Sequence, residues 1–300
     1  MVTESGDVIT CHQGEATILV FDQDGNLQRS WDSGLVEAHG MSLSKEGNSE
    51  YLWIADPGFK PDPEQDYGWT NKTGHAVKTT LGGERVMTVP EPTHNIYRDG
   101  DYRPTWIAVN EERHGGNGDI WVADGYGENY VHRFNRAGDY ILGINGEEGA
   151  GRYDTPHTIF FDTRKSEPEL YVADRKNGRV QIYDGDGNFK RSFGPGITTN
   201  PTGFVTIGDL MILIELRSSR ITILDSDDNL VTYLGANEGV SEVDGWPNVQ
   251  NDKGKSIRTN LLELGKFNSP HGIAADGDGN LYVAEWLIGG RLTKLVKNAP

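Results

Sequence analysis

One β-rich unit recurs along the chain, and this repeat constrains the fold more than any other feature of the sequence. An apolar strand that ends in an acidic residue, a polar turn, a second strand, a turn with glycine or asparagine and a third strand occur at 119–143, 169–194 and 209–235. The same frame fits residues 6–31. Because one such unit cannot bury its own apolar faces, the repetition indicates neighbours that stack into a continuous core.

Two further starts of this unit, at 51–58 and 280–296, bring the number of repeats to six. A short strand precedes most of them, in the segments 39–44, 104–110, 156–162, 201–207 and 270–276. Six units of about four strands predict an all-β fold, a six-bladed β-propeller that occupies residues 1–300 as a single domain. The first unit lacks a first strand of its own, so we expect the chain end to complete that blade. Irregular pairs of β-sandwich strands are the alternative.

A long insertion at about 56–104 interrupts the second unit and is expected to widen the second blade. Long loops inside compact domains are usually functional. We expect this one to form a lid over a pocket, with Trp69, His75 or Tyr97 as the covering side chain.

Composition excludes several classes of function. The formal net charge is −17, and Cys11 is the only cysteine. A surface this acidic repels phosphate backbones and anionic membranes, so neither nucleic acid nor a membrane is expected as a partner. One cysteine excludes an internal disulfide framework and a cysteine-rich zinc module, so any metal must be held by His, Asp or Glu. We expect a monomer that binds a small-molecule or peptide-like substrate.

The first residues, MVTESGDVIT, have no basic end followed by a long apolar stretch. No run of about 18 apolar residues occurs elsewhere in the sequence. The default expectation is a cytoplasmic protein, or a secreted or periplasmic one if a signal has been removed.

Three histidines stand just ahead of short apolar runs: His39 in EAHGMSL, His157 in TPHTIFF and His271 in SPHGIAA. All three fall where the first strand of a unit begins. First strands line the channel of a propeller, so the imidazoles are predicted to converge although they are more than 100 residues apart. Three imidazoles at an axis form a metal site with a fourth position open to water or substrate. The alternative is that these residues only mark turns and cap backbone groups.

In an up-and-down blade, the turn after the second strand lies on the same face as the start of the first strand. Residues at these turns include Gln13, Tyr126, Arg175, Arg217 and Trp286. Beside a metal cation and a guanidinium, the pKa of a phenol falls towards a range where it can act as a base, so Tyr126 and Arg175 are the candidate catalytic residues. Gln13, Arg217 and Trp286 are candidate substrate-binding residues. Ordinary packing of the tyrosine and pairing of Arg175 with a neighbouring aspartate are the structural alternatives.

The segments PHGIAADGDGNLYVAEW and LYVADRKNGRVQIYDGDGN resemble NHL repeats. The motifs DGY, PH and ADRKNGR together resemble peptidyl-α-hydroxyglycine α-amidating lyases over about half of the chain. The resemblance implies zinc at His39, His157 and His271, a catalytic base at Tyr126 and a supporting Arg175. The implied reaction breaks a carbinolamide C–N bond and gives an amide and glyoxylate. In it zinc lowers the pKa of the bound hydroxyl as a Lewis acid, and Tyr126 removes the proton.

The chain departs from this family at several positions. CHQG stands where the family has HRG, so Gln13 replaces an arginine, and a neutral amide cannot grip a carboxylate as a guanidinium does. Around the last histidine, Ser269 and Gly272 replace a Met and an Asp, and that Asp helps to bind a structural calcium in the family. Calcium is therefore a weaker expectation than zinc. Gly127 takes the place of a family cysteine.

We therefore expect a zinc-dependent lyase that cleaves a carbinolamide-like or related hydroxylated small substrate, with Arg217 as a displaced cation. The residues alone do not distinguish zinc from iron or manganese. Glu215 and Glu285 end second strands and could add acid or base groups, or could only close turns. Two alternatives stay open. One is a metal-dependent hydrolase of a lactone, ester or amide at the same site, and the other is a non-catalytic NHL propeller that serves as an interaction module.

Overall fold

The computed structural model describes residues 1–14, 17–62 and 68–298, and it describes only the backbone of 61, 62, 68 and 69. The side chain of Trp69, predicted as one candidate for a lid, lies outside the described residues. Within the described residues, six antiparallel sheets of three or four strands follow one another along the chain. They confirm the prediction of an all-β chain with a six-bladed β-propeller arrangement. No helix among the described residues is long and apolar enough to cross a membrane.

The chain divides into two compact units. Unit 1 comprises Met1–Asp174 and Gln181–Ser192, and unit 2 comprises Arg175–Val180 and Phe193–Pro300.

Unit 1 begins with a three-stranded sheet in which the first residues of the chain take part. Its strands β1 (Val8–Cys11), β2 (Ile18–Phe21) and β3 (Leu27–Trp31) pair in this order. The backbone groups of Met1 and Ile9 exchange hydrogen bonds of 2.7 and 2.8 Å beside β1. The first residue of the chain thus pairs with β1, in the blade that a chain end was expected to complete.

The strands that follow in unit 1 form two four-stranded sheets and a hairpin. They are β4 (Met41–Glu46), β5 (Ser49–Asp56), β6 (Phe59–Asp62), β7 (Gly68–Asn71), β8 (His75–Thr80), β9 (Arg85–Val89), β10 (Trp106–Val109), β11 (Ile120–Asp124), β12 (Tyr130–Phe134) and β13 (Tyr140–Ile144). The second sheet has the order β4-β5-β8-β9, the third has the order β10-β11-β12-β13, and β6 pairs with β7. The segment 56–104 therefore holds the two outer strands of the second sheet as well as the hairpin. His75, considered above as a lid residue, begins β8.

The fourth sheet has the order β14 (Pro156–Asp162), β15 (Glu169–Asp174), β16 (Arg179–Tyr183) and β17 (Phe189–Phe193). Second strands read as continuous apolar runs because both of their faces are covered, and every residue of β11 is buried. The apolar core of unit 1 between the third and fourth sheets includes Trp121, Ile159, Leu170 and Val172.

Unit 2 contains two further sheets and a small hairpin. Its strands are β18 (Pro201–Ile207), β19 (Leu210–Glu215), β20 (Arg220–Leu224), β21 (Leu230–Leu234), β22 (Val249–Gln250), β23 (Ser256–Ile257), β24 (Pro270–Ala275), β25 (Leu281–Glu285) and β26 (Arg291–Leu295). β18 to β21 form the fifth sheet, β24 to β26 form the sixth, and β22 pairs with β23. Ile214, Phe267, Ile273 and Val283 belong to the core of this unit. The long connection between β21 and β24, residues 235–269, contains the β22–β23 hairpin.

Candidate metal centre

His157 is the extra residue of a β-bulge at the start of β14. The residues on either side of it pair with adjacent residues of β15, which leaves His157 without an opposite residue. A bulge re-aims a side chain away from the regular alternation of a strand. Thr155, two residues earlier, has a φ of 61°, which is rare for a β-branched residue and marks backbone strain beside the candidate ligand.

His39 lies in a similar bulge just before β4. Its N–H donates to the carbonyl of Ala55 at 3.0 Å, and the N–H of Ala55 donates to the carbonyl of Gly40 at 2.8 Å, so two residues stand opposite one. Nδ1 of His39 lies 2.9 Å from the backbone oxygen of Thr105. Because a carbonyl only accepts, Nδ1 of the neutral ring carries the hydrogen and Nε2 presents a lone pair. The backbone thereby selects the tautomer that can bind a metal through Nε2.

Buried carboxylates at the ends of second strands hold the segments that lead to these histidines. Asp56 accepts hydrogen bonds from the N–H groups of Val36 and Glu37 at 2.9 and 3.1 Å. Asp174 accepts one from the N–H of Asp154 at 2.8 Å. Both carboxylates are fully buried. These acids therefore have a structural role, since each fixes the backbone ahead of an innermost strand.

Tyr126 brings its hydroxyl group between the two histidines of unit 1. The hydroxyl oxygen lies 3.1 Å from Nε2 of His39 and 3.2 Å from Nε2 of His157. The two imidazole centroids are 5.1 Å apart, and each ring offers a nitrogen within 4.8 Å of the other's. His157 is fully buried, whereas His39 and Tyr126 are partly buried. Unit 1 thus assembles two imidazoles and one phenol, and the imidazoles could bind a metal ion.

Two glycines shape the turn that carries Tyr126. A Cβ on Gly125 would lie 2.6 Å from the carbonyl oxygen of Pro156, and a Cβ on Gly127 would collide with the backbone of Asp101. Only glycine fits such close approaches without displacing the backbone. The glycine that replaces the family cysteine at 127 therefore has a local steric reason.

A buried polar network stands behind this turn. Asp124 accepts hydrogen bonds from the N–H of Arg103 at 2.6 Å and from the hydroxyl of Tyr97 at 2.7 Å. The Tyr97 oxygen also lies 2.6 Å from Nε2 of His132. Because the Tyr97 hydroxyl gives its one hydrogen to the carboxylate, Nε2 of His132 is the donor in the second contact. Tyr97, considered above as a lid residue, belongs to this network instead.

Burial shifts the pKa values at both ends of the network. Burial raises the pKa of Asp124 to about 6, although the hydrogen bonds from Tyr97 and from backbone N–H groups oppose the rise. Burial lowers the pKa of His132 to about 3. At neutral pH, Asp124 is therefore ionised and His132 is neutral. The members of this network come from three separate segments that share no repeat register, so the sequence pattern does not reveal it.

Arg103 connects the β6–β7 hairpin to the Tyr126 turn. Its guanidinium donates to the backbone oxygens of Pro57 at 3.2 Å and of Lys72 at 2.6 Å, which flank the hairpin. The ring of Phe59, in β6, has its centroid 6.0 Å from that of Tyr126 and 5.4 Å from the guanidinium carbon of Arg103. The hairpin thus packs beside the phenol, and a buried arginine holds it there.

His271, in unit 2, occupies the same kind of bulge as His157. The residues on either side of it pair with adjacent residues of β25. Its ring centroid lies 6.4 Å from that of Trp286, which in turn lies 6.3 Å from Trp246. The guanidinium carbon of Arg217 lies 5.3 Å from the Trp246 ring centroid. Arg217 and Trp286, both predicted as substrate-binding residues, are thus linked to each other and to His271 through Trp246.

Comparison with known proteins agrees with this architecture. No protein-family model matches the chain. The chain is 27% identical over 219 residues to NHL repeat-containing protein 3 of Mus musculus, which covers 69% of the chain and 57% of that protein. It is 27% identical over 288 residues to peptidyl-alpha-hydroxyglycine alpha-amidating lyase 1 of Drosophila melanogaster, which covers 90% of the chain and 47% of that protein. The chain therefore spans about half the length of these relatives, 57% and 47%.

Among solved structures, a streptogramin B lyase superimposes with a TM-score of 0.60 at 14% identity, over 98% of this chain and 92% of its own. At that identity the match shows the fold alone. The resemblance to NHL-repeat proteins and α-amidating lyases is confirmed.

Gln13 and Arg175, two residues for which the family resemblance implied a difference or a role, have unlike surroundings. Gln13 is exposed, and its amide donates to the carboxylate of Glu37 at 3.1 Å. Arg175 is partly buried, and its backbone oxygen accepts a hydrogen bond from the Asn200 side chain at 3.2 Å. Its supporting role beside Tyr126 stays a prediction.

The surroundings of His271 give a reason for the serine at position 269 but none for the glycine at position 272. Ser269 is fully buried, and its hydroxyl donates to the backbone oxygen of Trp286 at 2.7 Å. A Cβ on Gly272 would meet only the Ala284 Cβ at 3.7 Å, an ordinary contact. The carboxylate that the family uses for calcium is thus missing at a position where a Cβ has space.

Glu215 and Glu285 close turns in unit 2. Glu285 accepts a hydrogen bond from the N–H of Asn268 at 2.6 Å and pairs with Arg291. Glu215 accepts one from the N–H of Thr199 at 2.7 Å and pairs with Arg220 at 2.8 Å. Both carboxylates are buried. Of the two roles considered from the sequence, these contacts favour the structural one.

Proposed function

We propose that the chain is a metal-dependent lyase that cleaves a C–N bond in a carbinolamide-like or related hydroxylated small substrate. The observation that carries the proposal is the position of the Tyr126 hydroxyl, 3.1 Å from Nε2 of His39 and 3.2 Å from Nε2 of His157. Similarity to a protein named as an α-amidating lyase adds support.

His39, His157 and His271 are the proposed metal ligands. His271 is included because it occupies the same bulge position in the sixth sheet as His157 does in the fourth. The donor chemistry fits a divalent transition metal, since neutral imidazoles suit zinc and three of them leave a position for substrate. The hydrogen bond from Nδ1 of His39 to a backbone carbonyl is typical of metal-bound histidines. Zinc is the proposed metal, and iron or manganese would accept the same ligands.

Tyr126 is the proposed general base. When bound, a zinc ion supplies Lewis acidity that lowers the pKa of a coordinated hydroxyl. The deprotonated phenol oxygen takes the proton of the substrate hydroxyl, the C–O bond becomes a carbonyl, and the C–N bond breaks. The same phenol returns the proton to the departing nitrogen. An acyl-α-hydroxyglycine would thus give an amide and glyoxylate with no further reactant.

The surroundings of Tyr126 suit this role because the phenol is held before the reaction begins. Gly125 and Gly127 allow the close backbone approach of its turn, and Phe59 packs beside its ring. A fixed group needs little reorganisation in the transition state. Arg175 is proposed to stabilise the phenolate. Gln13 already donates to Glu37, so we propose that the substrate is not held by its carboxylate at this position.

Elemental analysis of the purified protein tests the ligand set. We expect about one zinc ion per chain in the wild type and in a His114→Ala control, whose histidine is exposed. The triple variant His39→Ala, His157→Ala, His271→Ala should lose the metal. Metal retained at the wild-type level in the triple variant would refute the assignment.

Turnover of N-benzoyl-α-hydroxyglycine by zinc-loaded protein tests the reaction. We expect release of glyoxylate and benzamide, and in oxygen-18 water the benzamide should stay unlabelled because its oxygen comes from the substrate. A hydrolase would instead release labelled benzoate, which would replace the lyase proposal by its hydrolytic alternative. Absence of both metal and turnover would favour the non-catalytic interaction module.

A further inference from the structure

Unit 2 carries an aromatic and cationic row beside His271 that the proposed chemistry does not use. Trp286 lies 6.4 Å from His271 and 6.3 Å from Trp246, measured between ring centroids. The guanidinium carbon of Arg217 lies 5.3 Å from the centroid of Trp246. Contacts therefore run in the order His271, Trp286, Trp246, Arg217, with the candidate metal ligand at one end and a cation at the other.

The indole of Trp246 and the backbone of Trp286 are held by hydrogen bonds. Nε1 of Trp246 donates to the backbone oxygen of Asn268 at 3.0 Å, and the Asn268 amide donates to the oxygen of Pro247 at 2.9 Å. The backbone N–H of Trp286 donates to the backbone oxygen of Ser269 at 2.9 Å, and the Ser269 hydroxyl donates to the backbone oxygen of Trp286 at 2.7 Å. Trp286 is nevertheless 53% exposed. An indole that faces solvent from a fixed backbone, with only two side-chain torsions, is suited to bind a flat apolar group at a low cost in conformational entropy.

Arg217 is exposed, and within the part of the chain that the structure describes its guanidinium forms no ion pair. The chain has 45 acidic and 28 basic residues. The nearby Arg220, by contrast, pairs with Glu215. A guanidinium stacked on an indole keeps its planar donors available to a carboxylate. On an acidic protein such a cation also supplies local attraction for an anion that the rest of the surface repels.

We propose that Arg217, Trp246 and Trp286 form a recognition subsite for an aryl carboxylate portion of the substrate. The reacting end of the substrate lies towards His271, its flat apolar body lies on the two indoles, and its anionic group pairs with Arg217. This link to the reacting end rests on the proposed function, whereas binding of an aryl carboxylate to the row does not require the metal.

Three small probes separate the contributions of the ring and the charge. They are 3-phenylpropionate, its uncharged analogue 3-phenylpropionamide and the ring-free butyrate. Each is titrated into metal-free protein, and binding is followed by calorimetry and by tryptophan fluorescence. We expect 3-phenylpropionate to bind about tenfold more tightly than either analogue, which corresponds to about 1.4 kcal/mol for each missing contact.

Two variants test the residue assignment. Arg217→Gln should abolish the preference for 3-phenylpropionate over its amide, and Trp286→Ala should abolish the preference over butyrate. Both positions are exposed, so the variants should fold, with unchanged Tm as the check. Arg136→Gln, at an exposed arginine in unit 1, is the matched control and should change neither preference. Undetectable binding of 3-phenylpropionate, or a charge preference that survives Arg217→Gln, would overturn the subsite.

The subsite and the lyase proposal fail in different ways. Binding with both preferences in a protein that shows neither metal nor turnover supports the subsite and removes the lyase proposal. Turnover of N-benzoyl-α-hydroxyglycine without binding of 3-phenylpropionate supports the lyase and overturns the subsite.

Discussion

Replacement of His132 by phenylalanine should change how the stability of the protein depends on pH. His132 is fully buried among aromatic rings that include Tyr97, Tyr130 and Tyr140. Its Nε2 lies 2.6 Å from the Tyr97 hydroxyl, and its buried Nδ1 has no hydrogen-bond partner within the described residues. Phenylalanine keeps a ring at this place and leaves the 2.7 Å hydrogen bond from Tyr97 to Asp124 intact.

The magnitude follows from the pKa of the buried ring. Burial lowers the pKa of His132 from 6.5 to about 3, so between these pH values the unfolded chain binds a proton that the folded protein does not. The contribution of the neutral ring to stability is therefore fully present above pH 6.5 and declines as the pH falls towards 3. At pH 4 the loss amounts to about 3 kcal/mol, from about 2.5 pKa units at about 1.4 kcal/mol each.

Asp124 acts in the opposite sense. Burial raises its pKa from 3.8 to about 6, so between these values the folded carboxyl group retains a proton that the unfolded chain has released. Its contribution to stability is fully present below pH 3.8 and is lost as the pH rises through about 6, again by about 3 kcal/mol. The two effects largely cancel in the wild type, which should show a shallow profile between pH 4 and about 6.

Chemical unfolding at several pH values between 7 and 4 measures this difference. As the pH falls, the free energy of unfolding of His132→Phe should gain about 3 kcal/mol relative to the wild type, because the variant keeps the Asp124 effect and lacks the opposing one. His114→Phe, at an exposed histidine, controls for the loss of an imidazole and should follow the wild-type profile. Parallel profiles for His132→Phe and the wild type would refute the assignment of His132 as a buried neutral group.

Three further changes address the Tyr126 turn. Tyr126→Phe should keep the bound metal and lower glyoxylate release by about 10²- to 10⁴-fold, since only the phenol oxygen is lost; elemental analysis and the turnover assay check both results. Gly125→Ala should lower the free energy of unfolding by about 1–3 kcal/mol in chemical denaturation, because its Cβ would lie 2.6 Å from the Pro156 oxygen. Arg103→Gln should open the β6–β7 hairpin to limited proteolysis, because the guanidinium that holds both of its ends is removed. Cleavage at the wild-type rate would contradict this role of Arg103.

The register of the repeat could be predicted from the sequence because local chemistry sets it. Apolar runs and a glycine or asparagine turn recur along the chain, most of the second strands end in an acid, and the sheets follow this pattern strand by strand. The same register placed His39, His157 and His271 at equivalent starts of first strands, and the structure finds a β-bulge at each. The bulges themselves could not be read from the sequence, because a bulge is a property of the register between two paired strands.

Contacts made by the long connections could not be predicted. Trp246 reaches Trp286 from the connection 235–269, and Tyr97 reaches Asp124 from the segment that precedes β10. Neither residue belongs to a repeated unit, so no register fixes its position. Arg217 and Trp286 could be proposed because they stand at repeated turns, whereas the indole that joins them could not.

The bulge position of the repeat alternates between two residue types along the chain. It is occupied by His39 before β4, Thr105 before β10, His157 in β14, Thr202 in β18 and His271 in β24. Histidine can act as a metal ligand, whereas the threonine hydroxyl can donate to a backbone carbonyl. Each sheet with a threonine at this position is thus followed in sequence by a sheet with a histidine there.

The threonine contacts are consistent with such a division of roles. In unit 1, Oγ1 of Thr105 lies 3.2 Å from the carbonyl oxygen of Pro156, the residue before His157. In unit 2, Oγ1 of Thr202 lies 3.4 Å from the carbonyl oxygen of Pro270, the residue before His271. The same contact, from a threonine hydroxyl to the carbonyl of the residue before a histidine, therefore occurs once in each unit. In both units a threonine hydroxyl thus lies beside the backbone that leads into a proposed metal ligand, so the repeat relates the surroundings of these histidines as well as their spacing.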